Sequence, residues 1–322
     1  VRGPLAPVSL PDLRAAQVRL EGIAVRTPLT RLGLPGEFPE IFLKLESLQP
    51  IGSFKIRGAA NAMALAGSDA ITGGVYTASA GNMAQGVAWC ARELGVRCHV
   101  IVPDTAPLTK IGAIERLGGA VFKVPFDEWW QTMLDHGHPD FTGLFVHPFA
   151  DSAVMAGNGT IALEIADELT DIDAIVVPFG GGGLICGIAS AVRALGLHTM
   201  VYAVEAETAA PLTASRRMGA PDTVSYTRTF IDGMGSKSVS AEMWPLLQLL
   251  VDGTVVVPVA KVAEAVKVLA ERGRVVAEGA GAAPVAAALG GSLDAKRIVC
   301  IVSGGNIDAA KLAAILRGDV PQ

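Results

Sequence analysis

The sequence predicts an α/β protein built from doubly wound, mostly parallel sheets. Three observations carry this. Short Val- and Ile-rich runs recur along the 322 residues. Each is followed by a stretch with one apolar face at helical spacing. Glycine-rich turns stand where several of the runs give way to helix. Runs that are apolar at nearly every position suit parallel strands covered on both faces, and their alternation with helices suits βαβ crossovers.

Strands are expected at 74–78, 98–103, 121–125, 173–178, 200–205 and 298–302. After the first, Met83, Val87, Cys90 and Leu94 keep one helical face. Residues 127–142 carry Trp129, Trp130, His136 and His138 without a clear period, and read as a helix running into an irregular loop. Ile161, Ile165 and Leu169 mark a further helix. Leu184, Ile188, Val192 and Leu195 mark the one after the fourth strand. Residues 218–235, with scattered Gly, Pro and Asp, form a second long irregular region, the kind of loop that often carries function.

Composition narrows the function classes. Only 5% of residues are aromatic against 51% hydrophobic, so the core is mostly Ala, Val, Leu and Ile. A net charge of −5 and the lack of a basic patch interleaved with aromatics give no case for nucleic acid. The uncharged stretch 174–192 is long enough to raise the membrane question. Pro178 and the glycines after it interrupt that stretch, so strand, loop and helix are expected and no membrane partner. Cys90, Cys98, Cys186 and Cys300 form no C-x-x-C pair and sit in apolar runs, as buried reduced thiols do. The chain starts at Val1 without a basic-then-apolar leader, and a cytoplasmic location is expected.

Four motifs carry chemistry. In Ser53-Phe54-Lys55-Ile56-Arg57-Gly58, glycines on both sides suggest a tight loop opening a helix. A lysine amine becomes nucleophilic when burial or a neighbouring positive charge depresses its pKa, and Arg57 is close in sequence. Gly180-Gly181-Gly182-Gly183-Leu184 lies between a strand and a helix, where backbone amides can approach a phosphate. For a dinucleotide, Cys186 occupies the third glycine position and Gly187 comes one residue late; a P-loop would need Gly-Lys-Ser/Thr. A single compact phosphate fits better. Ser79-Ala80-Gly81-Asn82 opens the next helix, with amides suited to a carboxylate. There Ser79 is either an anion ligand or an N-cap. Asn82 can donate to a phenolate-like oxygen. Ser303-Gly304-Gly305-Asn306 follows the last strand. All but Lys55 fall at the carboxyl ends of strands, where open α/β sheets bind ligands.

These segments together resemble the fold-type II pyridoxal-phosphate enzymes, with the tryptophan synthase β-like fold, in the serine/threonine dehydratase group that also includes serine racemases. The resemblance spans nearly the whole chain. It runs through Leu43-Lys44-Leu45-Glu46, Gly52 to Gly58, Ser79 to Gly86, and His147-Pro148-Phe149 to Gly157-Asn158-Gly159-Thr160. It continues through Gly180 to Leu184, Glu278-Gly279-Ala280-Gly281 and Ser303 to Asn306. It implies that Lys55 holds pyridoxal 5'-phosphate as a Schiff base with Phe54 beside the ring. Gly180, Gly181, Gly182, Gly183 and Leu184 would bind the phosphate, Asn82 the ring hydroxyl and Ser303 the ring nitrogen. Ser79, Ala80, Gly81, Asn82 and Met83 would form the substrate loop. Two doubly wound domains are implied, a large one of 1–73 and 149–322 and a small mobile one of 74–148, with the cofactor between them. A homodimer is implied too, without the C-terminal regulatory domain of feedback-controlled relatives.

The implied reaction is α,β-elimination from an L-β-hydroxy amino acid. Lys55, once displaced by the substrate amine, removes the α-proton, and a keto acid and ammonia are the products. Departures from the pattern adjust this. Racemases commonly have a second serine where this chain has Ala80, which disfavours racemisation. Met83 stands where the family usually has histidine, so phenylserine or another bulky 3-hydroxy amino acid joins threonine and serine as a substrate. Glu205 and Ala209 match two ligands of a family cation site, but Pro211 stands in place of the aspartate, and no metal is expected. His136 and His138 read as part of a solvated loop rather than ligands. Racemase, β-replacement synthase and a non-catalytic small-molecule binding protein are the alternatives.

Overall fold

The computed structural model describes residues 5–35 and 38–321, and the terminal residues of the expected large domain lie outside that range. Two sheets form. The larger contains β1 (Leu29–Arg31), β2 (Glu40–Lys44), β7 (Ala174–Pro178), β8 (Met200–Ala206), β9 (Gly253–Val257) and β10 (Arg297–Ile301). The smaller contains β3 (Val75–Ala78), β4 (Cys98–Pro103), β5 (Ala120–Val124) and β6 (Leu144–Phe145). Strand order is β1-β2-β10-β7-β8-β9 in one and β5-β4-β3-β6 in the other. Every pairing is parallel except β1 with β2. The six expected strands all form, and β1, β2, β6 and β9 are additions to them.

The central strands are apolar on both faces. Along β10, Val299 and Ile301 enter one core cluster while Ile298 and Cys300 enter the other. Burial on two sides leaves register weakly specified by hydrophobicity alone. Polar pins supply it: the Asp173 Oδ2 atom accepts the amides of Lys296 and Arg297, both at 2.8 Å. The small sheet has its own clusters, one of which holds Met83, Val87 and Cys90. Leu94, expected on that face, sits at the helix C-cap and is 52% exposed.

The helix Lys55–Ala66 lies between the two bodies. Ile56, Ala59 and Met63 join the core of the small sheet. The opposite side meets the helix Ser152–Glu168, where a Cβ at Gly157 would collide with the Arg57 carbonyl. That close crossing fixes Lys55, the first residue of its helix, at the junction of the sheets. Residues 174–192 fold as strand, glycine loop and helix, and no helix among the described residues is long and apolar enough to cross a membrane. All four cysteines are free and buried. Burial pushes Cys90 and Cys98 up to about 12, which leaves both thiols protonated and unreactive.

Candidate active site

The four motifs converge on one cavity of about 470 Å³ between the sheets. Lys55, Ser79 to Met83, Gly180 to Leu184, Glu278 and Ser303 all line it. Local backbone explains the placement of the lysine. Gly52 turns the chain at φ +71°, and the Phe54 amide then donates to the Ser303 carbonyl at 3.0 Å. The Lys55 Nζ atom donates to the Pro148 carbonyl at 2.6 Å and lies 5.1 Å from the Phe54 ring centre. Burial pulls the amine down to about 8, against the opposing pull of the Glu278 carboxylate. Arg57 takes no part in that shift. It is buried in a separate ion cluster, with Nε 2.8 Å from Glu46 and NH1 2.6 Å from Glu164. Lys44 adds a second positive charge to the cluster, 2.7 Å from Glu164. Residues two apart on a helix point to different sides, so nearness in sequence misleads here.

The glycine loop turns at Gly182, φ +94°, and the helix Gly183–Ala194 starts directly after it. Its first three amides have no helical acceptor and crown the loop with partial positive charge. A Cβ at Gly183 would lie 2.6 Å from the Phe149 carbonyl, and one at Gly181 would strike the Phe149 ring. Only glycine lets this loop lie flat on Phe149 while its edge lines the cavity. Across the cavity the helix Asn82–Glu93 begins with Gly81, not Ser79, at the N-cap. The Ser79 Oγ atom instead accepts from the Gly81 amide at 3.2 Å. Met83 is buried, and Trp129 and Trp130 line the cavity.

Several lining residues were given no individual role from sequence, although the segments that carry them were marked. Glu278 precedes the helix Gly279–Leu289, and burial pushes its carboxyl up to about 7, against the hydrogen bond from Asn82. Tyr226, Arg228 and Asp232 come from the irregular region 218–235, and Lys110 pairs with Asp232 at 3.2 Å. The Glu205 carboxylate caps the helix Pro211–Met218. It accepts the Leu212 amide at 2.7 Å, and the Thr213 amide and hydroxyl at 2.8 and 2.6 Å. His136 pairs with Glu242 at 2.9 Å and His138 with Glu128 at 3.0 Å. His136, His147 and Glu242 bring possible ligand atoms within 4.8 Å of one another. The His147 Nδ1 atom, however, accepts the amides of Phe149 and Ala150 at 3.2 and 2.8 Å. Its Nε2 therefore carries the proton of the neutral ring and offers no lone pair to a metal.

An amine of lowered pKa, an amide-rich glycine loop and a polar rim, set at strand ends between two sheets, define an enzyme that holds a phosphorylated aldehyde. The chain belongs to the pyridoxal-phosphate dependent enzyme family, whose model matches residues 20–304. It is 40% identical over 304 residues to an L-threonine ammonia-lyase of Thermotoga maritima, covering 92% of this chain and 75% of that protein. A catabolic L-threonine dehydratase of Staphylococcus aureus is 34% identical over 319 residues, covering 96% and 92%. The serine racemase of Dictyostelium discoideum superposes with a TM-score of 0.85 at 31% identity, covering 94% of this chain and all of that one. Pyridoxal phosphate is the cofactor, and the fold is the fold-type II arrangement of two parallel-sheet domains. The activity is that of a pyridoxal-phosphate-dependent dehydratase of the ammonia-lyase class.

Proposed function

We propose that this protein releases ammonia and a 2-keto acid from L-β-hydroxy amino acids of the threonine and serine type. The observation that carries this is the single cavity in which the Lys55 amine faces both the glycine loop and the loop 79–83. Bound pyridoxal phosphate supplies an electron sink for the α-carbon. Lys55 is the residue for the proton at that carbon, because a pKa of about 8 lets the amine hold or release it near neutral pH. Gly180 to Leu184 hold the phosphate through backbone amides. Asn82 would meet the ring hydroxyl and Ser303 the ring nitrogen, with Phe54 beside them; all three line the cavity. Ser79, Ala80 and Gly81 offer the helix end to the substrate carboxylate. Ala80 has no acid–base capacity, which supports elimination over racemisation.

The side-chain pocket favours a bulky β-substituent alongside the methyl of threonine. Met83, Met133, Trp129, Trp130 and Phe126 make an apolar wall on the cavity. Phenylserine is the probe for it. Residues 74–148 form the small domain that closes on substrate, 1–73 and 149–322 form the large one, and two copies pair in the cytoplasm. Keto acid and ammonia release would be measured for L-serine, L-threonine, phenylserine and 3-hydroxyaspartate and for their D forms. Release from L substrates, abolished in Lys55→Ala, is the expected result. Interconversion of enantiomers without release would instead identify a racemase.

A further inference from the structure

Two sequence motifs have residues with no role in the proposed reaction: Asn306, which ends Ser303-Gly304-Gly305-Asn306, and Glu278, which opens Glu278-Gly279-Ala280-Gly281 and lines the cavity. They meet on either side of Asn82. The Asn306 Nδ2 atom donates to the Ile51 carbonyl at 2.9 Å and to the Asn82 Oδ1 atom at 2.8 Å. The Asn82 Nδ2 atom donates to the Glu278 Oε1 atom at 2.8 Å.

The order of these bonds has only one solution. A backbone carbonyl can only accept, so Ile51 fixes which end of Asn306 is the NH2 group. That NH2 group in turn requires the oxygen of Asn82, since two NH2 groups cannot satisfy each other. The NH2 group of Asn82 must then face Glu278 and the cavity. Flipping either amide would break two bonds: a flipped Asn82 opposes two NH2 groups, and a flipped Asn306 turns its oxygen onto the Ile51 carbonyl and the Asn82 oxygen. Burial pushes Glu278 up to about 7, but a carboxyl keeps an acceptor oxygen in both protonation states, so the polarity is the same on either side of that pH.

The backbone reserves space for this chain of bonds. A Cβ at Gly52 would stand 2.5 Å from the Asn306 Oδ1 atom, and one at Gly304 2.5 Å from the Glu278 Oε1 atom. The same segments are laced together by the Glu278 amide to the Gly304 carbonyl at 3.0 Å and the Gly305 amide to the Gly52 carbonyl at 2.9 Å. We infer that Asn306 and Glu278 are positioning residues that lock the Asn82 amide with its second N–H turned to the cavity, where it meets the ring oxygen of the cofactor. This rests on the proposed contact of Asn82 with that oxygen.

The test uses the full chain loaded with pyridoxal phosphate and reads its visible absorption band and the cofactor dissociation constant. Asn82→Ala is expected to shift the band and weaken cofactor binding about tenfold, the scale of one hydrogen bond in a dry site. Asn306→Ala should reproduce both changes, and the double variant should be no worse than either single one. Asn306→Asp keeps the shape but cannot donate, so it should shift the band as Asn306→Ala does. Glu278→Gln retains an acceptor and should restore the native band that Glu278→Ala loses. A native band and affinity in both Asn306 variants, with Asn82→Ala shifted, would overturn the positioning role alone. Additive losses in the double variant would overturn it equally. A native band in Asn82→Ala would overturn the ring-oxygen contact and the positioning role together.

Discussion

Lys55 shows how one residue acquires its chemistry from its surroundings. Its amine falls from 10.5 to about 8 because burial removes the water that would solvate the ammonium. Below about pH 8 the lysine is charged in both folded and unfolded chains and the burial cost is fully felt. Between about 8 and 10.5 the unfolded chain binds more protons, so this residue's contribution to stability rises with pH. The rate at which unloaded protein captures pyridoxal phosphate, followed by its visible band, should therefore rise with a midpoint near pH 8. A midpoint near 10.5 would mean that the amine is solvated. The lysine itself was legible from the glycines and apolar neighbours around it. The partners of Asn82 were not, because they lie 196 and 224 residues away in sequence. Arg57 misled for the reason already given: its charge is spent on Glu46 and Glu164 rather than on Lys55.

At the scale of elements, legibility followed Val- and Ile-rich patterns more than burial: β5 was read although it is an edge strand with no buried residue. The strands that sit inside the sheets were read from continuous apolar runs. The strands β1 and β9 sit at edges of the large sheet: β1 has no buried residue and no apolar run, whereas β9 carries Val255, Val256 and Val257 and was passed over although the run is there. The residues of β2 were quoted for the family resemblance without being read as a strand, since Glu40 and Lys44 flank its apolar centre. Helix ends were legible only in outline. The cap supplied by Glu205 to the helix Pro211–Met218 depends on the chain turning back seven residues after β8 begins to close. Glu205→Ala should leave the Leu212 and Thr213 amides short of acceptors and lower unfolding stability by about 1–3 kcal/mol. Glu205→Gln, with one acceptor oxygen left, should lose less. Urea denaturation of the three proteins checks the order, and equal losses would mean that charge rather than capping is what matters.

At the scale of the molecule, the proposed closure of residues 74–148 has to move against a core that the small sheet shares with Ile56, Ala59 and Met63. Polar ties cross the gap: Lys110 with Asp232 at 3.2 Å and His136 with Glu242 at 2.9 Å. Lys110→Met combined with Glu242→Gln should speed amide hydrogen exchange across 74–148 in substrate-free protein and raise KM more than it changes kcat. An unchanged exchange pattern would mean that the small sheet is fixed against the large one.

The sequence by itself determined the fold class and the cofactor and singled out Lys55, because each depends on short contiguous patterns: apolar runs, glycine turns and one amine in a tight loop. Only the tertiary structure decided what surrounds the reacting atoms. It put Trp129, Trp130, Tyr226 and Arg228 on the cavity, sent Arg57 away from it and joined Asn306 and Glu278 through Asn82. Those outcomes depend on side chains brought together across hundreds of residues by the crossing of helices and the order of strands, and no local pattern encodes that.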